Sequence, residues 1–254
     1  MNTTVSSVPA AAAAAAPTRR VKDAPTRAAH WWIAASFLVA YITGDSESWR
    51  IWHVIAGYSM VIALVFRIVW GLVGPQSVAL TIWGRRMVSS LRWLREQFSS
   101  RGLQAWTAQP GTQLRQAMSQ GTSLSIVVLI AALPWLGLSG YITYQEITGE
   151  WMAELHEWLG NFALFAVLLH LGVLLVGSLL RGQNLVRPML GGRQPGSGPD
   201  LVPHNRAWLA LLLSLAMVAF GGWYWQDARS ALTADGATPA LMQGSGDAGD
   251  HDDD

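Results

Sequence analysis

Five apolar stretches interrupt this chain, each roughly 17 to 27 residues long, enough to cross the hydrocarbon core of a bilayer or to tilt across it. They run from Arg27 to Thr43, Ile51 to Val73, Ser123 to Tyr144, Glu154 to Leu180 and Ala207 to Trp225. Of the 254 residues, 51% are hydrophobic and only 13% charged, a balance no ordinary soluble domain has. The expectation is an all-α integral membrane protein. The alanine tract from Ala10 to Ala16 has no basic residue before it and is too weakly apolar for a signal sequence.

Charge placement sets the expected orientation. Arg19, Arg20, Lys22 and Arg27 precede the first span, and six arginines from Arg85 to Arg115 separate the second from the third. Arg181, Arg187, Arg193 and Arg206 lie between the fourth and fifth. The opposite side carries Asp45, Glu47, Arg50, Glu146, Glu150 and an acidic tail. The N-terminus is therefore expected in the cytoplasm and the C-terminus in the periplasm. Residues 82–98 put Trp83, Met87, Leu91, Leu94 and Phe98 on one helical stripe, with Arg85, Arg92 and Glu96 opposite, the pattern of a helix lying on an anionic leaflet. A surface loop helix has the same pattern. Residues 1–20 read as a disordered tail, 21–190 as a four-helix domain, 191–206 as a flexible cytoplasmic linker, 207–225 as a fifth transmembrane helix and 226–254 as an acidic periplasmic tail.

Four histidines lie in these spans: His30, His53, His156 and His170. A histidine in hydrocarbon is costly and usually functional. After one crossing, His53 stands near the outer face, whereas His30 stands near the cytoplasmic start of its span. His156 is near the outer start of the fourth span, and His170 follows fourteen residues later, a drop of about 21 Å on the same helix face. The depths pair His53 with His156 outside and His30 with His170 inside. Each layer offers two axial nitrogens from different helices, as six-coordinate haem b requires. Zinc or copper typically needs three or four ligands. With no cysteine, disulfides, thiolate metal sites and thiol-attached c-type haem are excluded.

Gly57 and Gly160 each follow a histidine by four residues, so that a flat macrocycle can approach the backbone; small-residue helix packing is the alternative. Arg67, fourteen residues below His53, is level with the inner layer and suits a haem propionate, unless it snorkels to the inner headgroups. His204 and His251 read as surface residues. Most boundary tryptophans read as interface anchors, and Trp52 and Trp158 as core or lipid packing or as neighbours of an outer cofactor.

The segments VKDAPTRAAHWW at 21–32, WRIWHVIAGY at 49–58, FRIVWGLVGP at 66–75, the two-histidine stretch 151–175 and QNLVRPMLGGR at 183–193 resemble the bacterial cytochrome b561 and nickel-hydrogenase b-type cytochrome family. The resemblance implies a four-helix di-haem transmembrane bundle, here with a fifth helix. The family's ligands fall on His30, His53, His156 and His170. It further implies inner-membrane, quinone-linked electron transfer with a soluble or membrane redox partner, a cytochrome c or a dehydrogenase subunit, and no nucleic acid. Three alternatives stand beside a quinone-pool electron carrier. The chain could be the cytochrome b subunit of a hydrogenase or periplasmic dehydrogenase, or a stand-alone superoxide or external-acceptor quinone oxidoreductase. It could also be a transporter or scaffold whose histidines relay protons.

Overall fold

The computed structural model describes residues 17–75 and 79–244, with the side chains of 80, 81, 83, 100–103 and 232–244 left out. Strand β1 (Thr18–Arg20) leads into helix α1 (Ala24–Thr43), and a 3-10 turn at Glu47–Trp49 into α2 (Arg50–Val73). Helices α3 (Leu80–Gln97) and α4 (Ser100–Ala108) precede two long helices, α5 (Pro110–Tyr144) and α6 (Trp151–Arg181). A short α7 (Arg187–Gly191), strand β2 (Arg193–Pro195) and α8 (Ala207–Gly244) complete the order.

Local chemistry sets the helix ends. Asp23 caps α1 by accepting a hydrogen bond from the Thr26 amide at 3.2 Å, and Pro25 follows in the first turn, where its missing N–H costs nothing. Helix α6 stops where Gly182 turns left-handed at φ 60°, which lets the Gln183 amide reach back to the Ser178 carbonyl at 3.2 Å.

Among the described residues, four segments are long and apolar enough to cross a membrane: Glu47–Val73, Pro110–Tyr144, Trp151–Arg181 and Ala207–Ala231. The chain is thus an all-α membrane protein. Helix α1 is not among the four, although its 20 residues reach about 30 Å at 1.5 Å per residue. Arg27, His30 and the Trp31-Trp32 pair dilute its first half. It packs within the bundle nonetheless. Ala29 of α1 and Ala63 of α2 are fully buried together with Leu213 and Met217 of α8.

The α5–α6 pair follows a seven-residue step. Buried Ser125, Ala132 and Ser139 mark one face of α5, and His156, Ala163, His170 and Gly177 repeat at the same interval on α6. A step of 3.5 residues per turn keeps a seam aligned between two helices, and small residues let membrane helices approach closely. The chains run antiparallel, so Ser139 meets His156, Ser125 meets His170, and a Cβ on Gly177 would sit 3.6 Å from Met118. Between the two histidine levels lies an apolar layer from four helices: Phe37, Met60, Leu64, Leu133, Leu136 and Ala163.

Three segments differ from expectation. Helix α5 begins at Pro110 rather than near Ser123, and its added turns receive α3, where Ser90 donates to Gln120 Oε1 at 2.8 Å. Residues 18–20, read as the end of a disordered tail, and residues 193–195, read as part of a flexible linker, instead pair as an antiparallel β1–β2 ribbon. Leu201 donates to the Arg20 carbonyl at 2.9 Å, Asp200 pairs with both Arg20 and Arg193, and Val202 is fully buried. Helical backbone in α8 also continues past Ala231 to Gly244, across Gly236 and Pro239, two residues that by themselves disfavour helix. Residues 245–254, with His251 and the terminal aspartates, lie outside the described residues.

The stripe on α3 faces away from the protein: Met87, Val88, Leu91 and Leu94 are exposed, as is Phe98 just beyond the helix, while Ser90 is buried. An uncovered apolar stripe flanked by arginines fits a helix resting on a lipid leaflet. The Trp83 side chain lies outside the described residues.

Candidate functional site

The outer histidines meet at the top of the bundle. His53 projects from the first turn of α2 and His156 from the second turn of α6, and their ring centroids stand 6.0 Å apart with planes at 84°. A metal–imidazole bond is about 2 Å; one on each side of a central atom, with the two ring radii, spans a similar distance. His53 Nδ1 lies 2.8 Å from the Ala40 carbonyl oxygen of α1. A carbonyl only accepts, so Nδ1 carries the proton and Nε2 keeps its lone pair.

Both rings line a cavity of about 520 Å³, floored by Phe37, Met60 and Leu136 of the apolar layer. That volume is within the ordinary range of about 300–1,000 Å³ for small-molecule sites. Gly57 and Gly160 line the same cavity, and a Cβ built on either would meet nothing within 4 Å. Gly140 is the reverse case. A Cβ there would sit 2.8 Å from His156 Cε1, so glycine is what lets the imidazole lie against α5.

His30 of α1 and His170 of α6 lie within Coulombic range of each other. His170 Nδ1 lies 3.0 Å from Ser125 Oγ, and His156 Nδ1 3.0 Å from Ser139 Oγ. His30 Nδ1 is buried without a hydrogen-bond partner, a polar atom that the fold leaves to be satisfied by something else.

Arg67 is buried at 7% exposure on α2 and lies within Coulombic range of Asp23. Asp23 is itself fully buried, capping α1 through one oxygen and accepting from Trp70 Nε1 at 2.9 Å through the other. Lys22 stands beside them: burial, with the Arg67 and Arg86 cations nearby, lowers its pKa to about 8 against the pull of Asp23. The C-terminal end of α2 is thus a cationic neighbourhood holding one carboxylate. Trp52 tilts against Trp225 of α8 at 4.8 Å, and Trp158 stacks on Phe162 with 61% of its surface exposed, so neither is a wall of the cavity. Trp32 is an interhelical contact rather than an interface anchor, donating to Ser214 Oγ at 3.1 Å.

All four histidines thus fall at two levels, and the outer two face each other directly. Ser125, Ser139, the Ala40 carbonyl, Gly140 and Asp23 were not evident as site residues in the sequence. A signal for the serines was present in the shared fourteen-residue spacing of Ser125–Ser139 and His156–His170.

A haem suits these donors. Among the described residues no three His, Cys, Asp or Glu side chains gather to hold a bare ion. Imidazoles arranged in twos, a gap between the outer rings, and two glycines open onto that gap match a flat macrocycle ligated from both faces.

No curated protein and no solved structure matches the chain. A profile of the prokaryotic cytochrome b561 family matches residues 21–192, which takes in every helix from α1 to α7 and leaves α8 outside. With that match over more than half its length, the chain belongs to the prokaryotic cytochrome b561 family, b-type haem electron carriers of membranes.

Proposed function

We propose that the chain is a di-haem b-type cytochrome of the bacterial inner membrane, carrying single electrons between the quinone pool and a redox partner in a respiratory chain. In this reading His53 and His156 hold the outer haem, and His30 and His170 the inner one. Gly57 and Gly160 leave room for the outer macrocycle, and Arg67 offers positive charge to the inner propionates. The single observation that carries the reading is the outer pair: two imidazoles at 6.0 Å across a 520 Å³ cavity, one of them with its tautomer fixed by a backbone carbonyl.

A bis-imidazole haem, when bound, supplies one-electron chemistry with no open coordination position. The chain's residues do the rest. The Ala40 carbonyl orients one ligand, the α5–α6 seam sets the height of two more, and the layer around Met60 and Leu133 keeps water from the space between the tiers. Basic residues at the α1 end, the α2–α5 connection and the α6–α8 connection support an N-terminus in the cytoplasm.

Four alanine variants, assayed for haem per chain and by redox titration, test the pairing. His53→Ala and His156→Ala should each remove the same haem and leave the other largely in place. His30→Ala and His170→Ala should remove the complementary one. Loss of the same haem from His53→Ala and His170→Ala would mean that the levels are wrongly paired.

A further inference from the structure

Ser139 and Ser125 are each placed to do one specific thing to a histidine. Ser139 Oγ lies 3.1 Å from the Leu136 carbonyl and 3.0 Å from His156 Nδ1. Ser125 Oγ lies 3.0 Å from the Thr122 carbonyl and 3.0 Å from His170 Nδ1. A hydroxyl has one proton to give. Serine in a helix gives that proton to the carbonyl of the preceding turn, here three residues back in both cases. The oxygen that remains can only accept, so the proton between serine and imidazole belongs to the ring. Both rings are then protonated at Nδ1 and carry their lone pair on Nε2.

Neither serine has another evident task. Both are buried, at 2% and 3% exposure, in a span where a hydroxyl is costly unless bonded. Alanine would fill either position in the seam equally well, as Ala132 does midway between them. Two serines on α5 and two histidines on α6, each pair fourteen residues apart, repeat one contact at two depths.

We propose that Ser139 and Ser125 are positioning residues, one per tier, that hold His156 and His170 in the Nε2-ligating tautomer and lower the reduction potential of the haem each serves. This rests on the di-haem reading. The physical cause is donation from Nδ1–H, which makes the imidazole a more basic ligand and favours the ferric state. Ser139 acts with Gly140, whose missing side chain gives the His156 ring its place against α5. The contacts are unequal between tiers. His53 and His156 both have an Nδ1 partner, whereas in the inner tier only His170 has one.

The test is made on full-length protein in lipid nanodiscs, in wild type, Ser139→Ala, Ser125→Ala and the corresponding threonine variants. Haem per chain, redox titration and the low-spin ferric EPR signal, which follows the angle between ligand planes, are read together. The tiers are told apart with His30→Ala and His53→Ala, each keeping one haem. Ser139→Ala should raise the potential and move the EPR signal of the outer haem alone, and Ser125→Ala those of the inner haem alone. Each should also weaken haem retention at its own tier by about ten-fold or more. Threonine, which keeps the hydroxyl, should restore both readouts. A wild type with two haems whose potentials and EPR signals are indifferent to both alanine variants would overturn the serine proposal and leave the di-haem reading standing. Equal shifts in both tiers from either variant would do the same. A wild type without haem would overturn both.

Discussion

At the scale of single residues, a lone pair in the right place and a charge near it decide most of the chemistry. His53 owes its bare Nε2 to the Ala40 carbonyl, a backbone group whose partner cannot be seen in the identity of residue 40. The four histidines stand out in the sequence because imidazole is conspicuous in an apolar span, and their expected depths follow from residue count. Their hydrogen-bond partners were not, since serine, glycine and alanine in such spans read equally well as packing. Arg67 stood out in the sequence as a cation in an apolar span, but its neighbour Asp23 did not, because their proximity joins the start of the first helix to the second across a distance in sequence. Arg67→Ala is expected to lower the potential of the inner haem more than that of the outer one, since a nearby cation favours the reduced state. Redox titration beside the wild type checks it, and an equal shift in both would show that Arg67 does not serve the inner tier.

At the scale of elements, the spacing of small residues shapes the cavity. Gly57 and Gly160 each stand one turn below an outer histidine and open onto the cavity, whereas Gly140 makes space for the ring itself. Gly57→Leu and Gly160→Leu should therefore cut outer haem content severely while the apoprotein keeps its helix content and unfolding temperature. Haem analysis with circular dichroism would reveal it, and full haem loading in both leucine variants would show that the macrocycle lies elsewhere. The long apolar helices were readable from hydropathy, because every unpaired backbone group in lipid must be satisfied within its own helix. The β1–β2 ribbon was not, because its pairing joins residues about as far apart as Arg20 and Asp200, and composition alone predicts a mobile linker. The turns of α5 before the apolar span were not legible for a related reason: they are polar and meet α3 rather than the span.

At the scale of the molecule, the proposed di-haem reading makes the two tiers, with the apolar layer between them, a path across the membrane. An elementary charge that crosses the full dielectric gains or loses about 2.3 kcal/mol per 100 mV, so the membrane voltage weighs on every transfer between tiers. Helix α8 lies outside this path and outside the matched family region. It packs along α1 and α2 through Leu213, Met217 and the Trp52–Trp225 contact, and so widens the bundle without entering the cavity. The most direct measurement is haem quantification of the purified full-length protein combined with a potentiometric titration. Two b-type haems per chain with two resolvable potentials are expected. Folded protein that stays colourless with haem in ample supply, or that binds a single haem with one potential, would contradict the di-haem reading.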